Sequence, residues 1–223
     1  MRARTLETSL ARLPDPALTL LVLGCTAAGV GAFLLDVAGI VGMPWTLSFV
    51  SLPALVVVLA IGVWARRVAR EPFFNRLAVG VVAGFVATLA YDGVRWAIQE
   101  TAPLDYDGFR SISIFGSLIL GKPETAVDAR IAGWTYHFWN GVSFGVMYAL
   151  VAGAARWYWG LVWGMALEMM MIGIYPVAFA IQRSDPAFLA ISMTGHAAYG
   201  ATLGLLAARW CRPVLAPTRR AAW

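Results

Sequence analysis

The run ALTLLVLGCTAAGVGAFLLDVAGI, residues 17–40, carries one charged side chain, Asp36, in 24 positions. At about 1.5 Å of rise per residue, a helix of about 20 such residues crosses the hydrocarbon core of a bilayer. Outward from this run, stretches of the same kind recur and predict spans at 17–40, 47–65, 76–97, 132–155, 157–181 and 187–209. A chain of 223 residues that is 60% hydrophobic and 13% charged is too apolar for a water-soluble domain. The expected fold is all-α, a six-transmembrane-helix bundle forming a single integral membrane domain over residues 1–223. Val22-Leu23-Gly24-Cys25 loosely resembles a lipobox. The apolar run continues well beyond a signal-length core, however, and is read as a retained span.

The basic residues set the expected orientation. Twelve of the 17 fall on one side of these spans: Arg2, Arg4, Arg12, Arg66, Arg67, Arg70, Arg76, Arg156, Arg209, Arg212, Arg219 and Arg220. The other side has Arg95, Arg110, Lys122, Arg130 and Arg183, mixed with Glu100, Asp105, Asp107, Glu124, Asp128 and Asp185. The arginine-rich side is expected in the cytoplasm, so the chain would sit in the inner (cytoplasmic) membrane with both termini cytoplasmic. The net charge of +5 is then an orientation signal, and no nucleic-acid partner is implied. Cys25 and Cys211 lie too far apart in this topology for a disulfide framework or a metal knuckle.

Between the third and fourth spans, residues 111–120 are apolar but too short to cross, which predicts an interfacial or re-entrant segment. Small residues at four-residue spacing form ladders that end in a carboxylate: Gly24, Ala28, Ala32, Asp36; Gly80, Gly84, Thr88, Asp92; and Gly160, Gly164, Glu168. Such ladders let helix backbones approach closely. Spans four and six share T-x-H-x3-G-x3-G, as Thr135, His137, Gly141, Gly145 and Thr194, His196, Gly200, Gly204. The pattern predicts three related helical hairpins, the first lacking its histidine.

Ionisable groups inside a bilayer are costly and mark function by default. Here they are Asp36, Asp92, His137, Glu168 and His196, with Asn140 as a polar companion. Counting helical rise from the predicted span ends puts Asp92 and His137 at one depth, roughly 7 to 8 Å below the outer boundary. Glu168 and His196 fall together near the midplane. Arg95, three residues after Asp92, is expected at the outer interface, where it competes for that carboxylate. Asp36 has no histidine partner and is read as structural.

Three chemistries suit this set. Two imidazoles facing each other across a bundle, with glycines beside them, are suited to haem, with His137 and His196 as ligands. The same histidines with Asp92, Glu168 and Asn140 suit a transition metal such as zinc or iron, in a metal-binding protein or a subunit of an electron-transfer or oxidising complex. Histidine with carboxylate is also the composition of a proton relay in a small-solute or proton-coupled transporter, with Glu168 as the titrating group. A bundle sealed on the cytoplasmic side would count against that third reading. Alternatively, the groups only fix helix packing in a structural accessory subunit with membrane-complex partner proteins. Met165, Met169, Met170 and Met171 surround one helix rather than converging, which favours packing over a copper site. The sequence has no phosphate-binding glycine loop and no Ser-His-Asp arrangement.

Ala83-Gly84-Phe85-Val86-Ala87-Thr88, Gly133-Trp134-Thr135-Tyr136-His137-Phe138, Trp159-Gly160, Pro176 and Gly195-His196-Ala197-Ala198-Tyr199-Gly200 stand in an order that resembles an uncharacterised family of bacterial and archaeal multi-pass membrane proteins, over residues 76–207. The resemblance implies a membrane-embedded helical fold, and it carries no activity or site residue.

Overall fold

The computed structural model describes residues 16–102, 106–179, 182 and 184–212. Arg2, Arg4, Arg12, Asp105, Arg183, Arg219 and Arg220, which entered the orientation argument, lie outside the described residues. The described residues form helices and no strand. In chain order these are α1 (Pro16–Val37), α2 (Met43–Arg67), α3 (Glu71–Thr101), α4 (Arg110–Leu120), α5 (Val127–Val151), α6 (Tyr158–Phe179) and α7 (Pro186–Trp210).

Four of them, α1, α2, α3 and α6, are long and apolar enough to cross a membrane, with mean hydropathies of 2.2, 2.4, 1.8 and 1.6. This is a helical membrane protein whose outward-facing apolar side chains suit lipid contact. On α3 that face is Val81, Val82, Phe85, Val86 and Leu89. The remaining two long helices, α5 and α7, have 25 residues each. They carry both histidines and most of the interior contacts. Buried among neighbours, they need less apolar surface than a lipid-facing helix does.

Local sequence accounts for the helix ends. Pro186 opens α7, and the carboxylate of Asp185 caps it by accepting the Ala187 and Phe188 N–H groups at 2.8 and 3.3 Å. Asp36 accepts the Met43 N–H at 2.9 Å and so holds the start of α2. This bond fits the structural reading of Asp36. Within α2 the chain widens into one π turn at Leu47–Ser51, just before Pro53, whose ring would crowd a regular turn. Ser51 there donates to the Ala28 carbonyl at 2.7 Å and ties α2 to α1. Gly121 ends α4 with φ of 63°, a left-handed conformation that costs glycine little. Arg76 donates to the Leu150 carbonyl at 3.1 Å, placing a cation at the negative end of α5.

The long helices follow the spatial order α6, α7, α3, α5, α1, α2, with α2 also touching the start of α3. Two glycine seams fix this arrangement. Along α3 and α5, a Cβ on Gly80 would lie 2.5 Å from the Val146 Cα, and one on Gly84 would lie 2.8 Å from the Gly141 oxygen. Along α6 and α7, a Cβ on Gly160 would lie 2.5 Å from the Gly204 nitrogen, and one on Gly164 would lie 2.9 Å from the Gly200 Cα. Only hydrogen fits at such separations.

The two seams superimpose in sequence, Gly80 and Gly84 matching Gly160 and Gly164, Gly141 and Gly145 matching Gly200 and Gly204. The expected first member of the series departs from them. Gly24 has open space around it, and α1 packs through Gly29, Ala32 and Phe33 instead. The fourth predicted span also shifts: α5 runs from Val127 to Val151 rather than over 132–155, because the chain turns at Gly153, where φ is 55°. The short apolar segment is the helix α4, packed on α5 where Gly116 and Gly133 meet each other's backbone.

Candidate functional site

Asp92 and His137 face each other across the α3–α5 seam, with His137 Nε2 3.1 Å from both carboxylate oxygens. The Arg95 guanidinium reaches the same carboxylate at 3.3 Å. Arg95 does not extend to the interface as its position near the end of the span suggested. It is 2% exposed and lies over the rings of Tyr91 and Phe109, 4.5 Å from each centroid. Stacking of this planar cation on two rings, together with the adjacent carboxylate, compensates its desolvation.

The second pair sits across the α6–α7 seam. His196 Nδ1 lies 2.6 Å from Glu168 Oε2 and 3.0 Å from the Ser192 carbonyl oxygen. Ser192 Oγ donates to the same carboxylate oxygen at 2.7 Å. Glu168 is 0% exposed, and its other oxygen, Oε1, has no partner. Among the described residues no fixed cation comparable to Arg95 stands beside it, so the charge it carries when ionised falls to His196 to balance. Removing a carboxylate from water to such a place costs several kcal/mol unless it is compensated or protonated.

Tyr91 joins the two pairs. Its ring centroid is 4.9 Å from that of His196 and 5.8 Å from that of His137. Both histidines, Tyr91 and Asn140 line one cavity of about 70 Å³, walled by Phe33, Phe115, Phe144, Leu167, Met171 and Tyr175. Asn140 Oδ1 is buried against Gly29 of α1 without a hydrogen-bond partner. The depth argument thus paired each acid with its histidine correctly, and His137 and Asn140 share the cavity face. The four ionisable groups do not converge on a common point. They form two pairs on either side of a tyrosine, and among the described residues no group of three or more His, Cys, Asp or Glu side chains is placed to hold a metal ion.

Sequence reasoning missed Tyr91, Ser192 and the tyrosines that anchor the walls. Tyr199 donates to the Gly141 carbonyl at 2.7 Å, across the boundary between the two seams, and Tyr136 donates to the Gly29 carbonyl at 2.9 Å. Ser192, four residues before His196, was detectable as a polar neighbour on the same helix face. Tyr91 gave no signal, because a tyrosine beside an acid is ordinary.

On the far side of the cavity from α4, the space between the seams is filled by Val79, Ala83, Ala87, Tyr148, Leu203 and Ala207. The end bearing Arg76 and Arg156 is therefore closed. Towards α4, Trp134 stands edge-on over His137 at 5.8 Å, beside Phe109. Tyr106 lies against Phe188 in the connection between α3 and α4, and burial pushes its hydroxyl up to about 12. Two carboxylate–imidazole pairs at one cavity inside a helical membrane protein define the class to which the fold and site belong. Neither a family model, nor a curated protein, nor a solved structure matches the chain.

Proposed function

We propose that the protein crosses the inner membrane six times with both termini in the cytoplasm, and that it is a proton-coupled transporter of a small solute. The observation that carries this reading is the placement of the two acid–imidazole pairs, one in each of two similar helix pairs, on either side of a cavity at their junction. Transporters built from repeats bind at such junctions near mid-membrane, and they work by moving one repeat against the other. Each glycine seam here locks a repeat internally, and the junction between them is packed through Val79, Ala83, Ala87, Leu203 and Ala207, with Tyr91 and Tyr199 reaching across it. Glu168 is the proton carrier in this reading, because it is fully buried and its Oε2 lies 2.6 Å from His196 Nδ1.

The closed arginine-rich end counts against transport through this conformation, which is accessible at most from the α4 side. Transport then requires α3 and α7 to part along the apolar stretch from Val79 to Ala207. Among the described residues no group of three or more His, Cys, Asp or Glu side chains is placed to hold a metal ion.

Asn140→Cys in a background of Cys25→Ala and Cys211→Ala, in vesicles of known orientation, tests the reading. A membrane-impermeant thiol reagent is expected to label the cavity from either face, at rates that change with pH. Labelling from one face alone overturns transport, and an absence of labelling from both identifies the cluster as packing.

A further inference from the structure

We infer that the solute is an amphiphile drawn from the bilayer, a small hydrogen-bonding head on one apolar chain, and that it enters through a groove between α5 and α6; this rests on the transport reading of the same cavity. These two helices are consecutive in the chain, yet their backbones do not pack together as those of α3 and α5 or of α6 and α7 do. The groove between them is lined by Tyr148, Val151, Ala152, Trp159, Val162 and Trp163. Val151, Trp159 and Val162 are 64%, 51% and 53% exposed, so the groove opens on the outer surface of the helices, where lipid lies. It also adjoins the cavity. Phe144 of α5 and Leu167 of α6 line the cavity, and Tyr148 and Trp163, one turn along the same two helices, line the groove with ring centroids 6.1 Å apart. Side chains close the passage, and side chains change rotamer far faster than packed helices part.

The groove begins at the arginine-rich end, where Trp157 and Trp159 are exposed and Arg156 lies over Tyr158, 5.1 Å from its ring centroid. Aromatic and basic side chains of this kind mark a membrane boundary. The rise from Trp159 to Leu167 is roughly 12 Å, so the groove carries a chain from one boundary to the cavity within the depth of a single leaflet. The two spaces suit different parts of one molecule. Valine and alanine side chains in the groove suit hydrocarbon, whereas His137, His196, Tyr91 and Asn140 around the cavity suit a head that forms hydrogen bonds. A wholly apolar molecule gains little over the bilayer it leaves, because lipid tails are as apolar as leucine. A wholly polar one loses its water against the groove without replacement. The groove also belongs to the transport movement. Since α5 lies in one glycine-locked pair and α6 in the other, a shift of one pair against the other changes its width.

The full-length chain with Asn140→Cys, Cys25→Ala and Cys211→Ala is reconstituted and treated with two maleimides, one bearing a dodecyl chain that partitions into the bilayer and one bearing a sulfonate that stays in water. Val82→Cys in the same background, on the lipid-facing side of α3, calibrates the dodecyl reagent. The dodecyl reagent is expected to label Asn140→Cys. Ala166→Trp, at an exposed position in the groove, should slow that labelling at least tenfold and leave both the Val82→Cys rate and sulfonated labelling from the α4 side unchanged. Ala155→Trp, on the facing wall, is a second block if thermal unfolding shows the first variant misfolded. Dodecyl labelling that neither block slows, or its absence while the sulfonated reagent reacts, overturns the inference, and the second comparison needs no blocking variant. If the sulfonated reagent labels from both faces and the dodecyl reagent does not react, lateral entry falls and transport stands. If the blocks stop dodecyl labelling and sulfonated labelling is one-sided, the groove admits the amphiphile and transport falls. Labelling by neither reagent removes both.

Discussion

The α3–α5 and α6–α7 pairs share a glycine seam and a histidine four residues before the first seam glycine of the second helix, yet they hold their acids differently. In the first pair Asp92 sits two turns beyond Gly84, with Thr88 between them. In the second, Glu168 takes the place equivalent to Thr88, one turn deeper. That displacement of one turn separates a carboxylate that has a fixed cation at 3.3 Å from one that is 0% exposed with an orphaned oxygen. One scaffold thus holds both a carboxylate beside a fixed cation and a fully buried carboxylate paired only with imidazole and a serine, and the difference lies in acid depth and in Arg95.

The largest effect should come from breaking a seam. Gly200→Leu puts a branched side chain where a Cβ alone would lie 3.0 Å from the Leu161 Cα and nearer still to the Gly160 carbonyl. Overpacking that cannot relax costs about 1–3 kcal/mol and occasionally more. Gly200→Leu and its counterpart Gly141→Leu are expected at or beyond the top of that range, read as loss of folded protein in detergent. If either is tolerated with wild-type stability, the close approach is not required for folding.

Replacing the two acids comes next and contrasts the pairs directly. Asp92→Leu strands Arg95 without its carboxylate, and an unpaired buried charge costs about 3–5 kcal/mol. Glu168→Leu removes a buried charge, while His196 keeps its bond to the Ser192 carbonyl, so the change in stability should stay within about 1 kcal/mol. Thermal unfolding should therefore rank Asp92→Leu well below Glu168→Leu, and Arg95→Met should recover part of the loss in the double variant. The reverse ranking would mean that Glu168, not Asp92, anchors the fold.

The smallest effect concerns the junction. Tyr199→Phe deletes the bond to the Gly141 carbonyl, and interhelical hydrogen bonds in membranes average about 0.6 kcal/mol. A loss of about that size is expected, together with faster labelling of Asn140→Cys from the arginine-rich side. Unchanged labelling would argue that the junction does not open where Tyr199 bridges it.

The helices and pairings were readable because they follow from one-dimensional rules. Runs of apolar residues mark the membrane-capable helices, and a constant rise per residue converts position into depth, which is why Asp92 met His137 and Glu168 met His196. Rules of that kind failed where a side chain had a choice of direction. Arg95 has the length to reach the interface, and it turns inward because the rings of Tyr91 and Phe109 make a stacking site that only the folded bundle creates. The ladder through Gly24 had the right spacing, but spacing does not say which helix face has a partner, and α1 packs through Gly29 and Ala32.

By itself the sequence determined the helical class, the apolar runs long enough for a bilayer, the seam glycines and the residues able to titrate, since each depends on composition or on spacing along one helix. Only the tertiary structure decided that the four ionisable groups form two pairs on either side of Tyr91 rather than one cluster, and that Asn140 and Glu168 keep unpartnered oxygens. Those outcomes depend on the rotation of each helix about its axis and on the order of packing, which short-range periodicity does not encode.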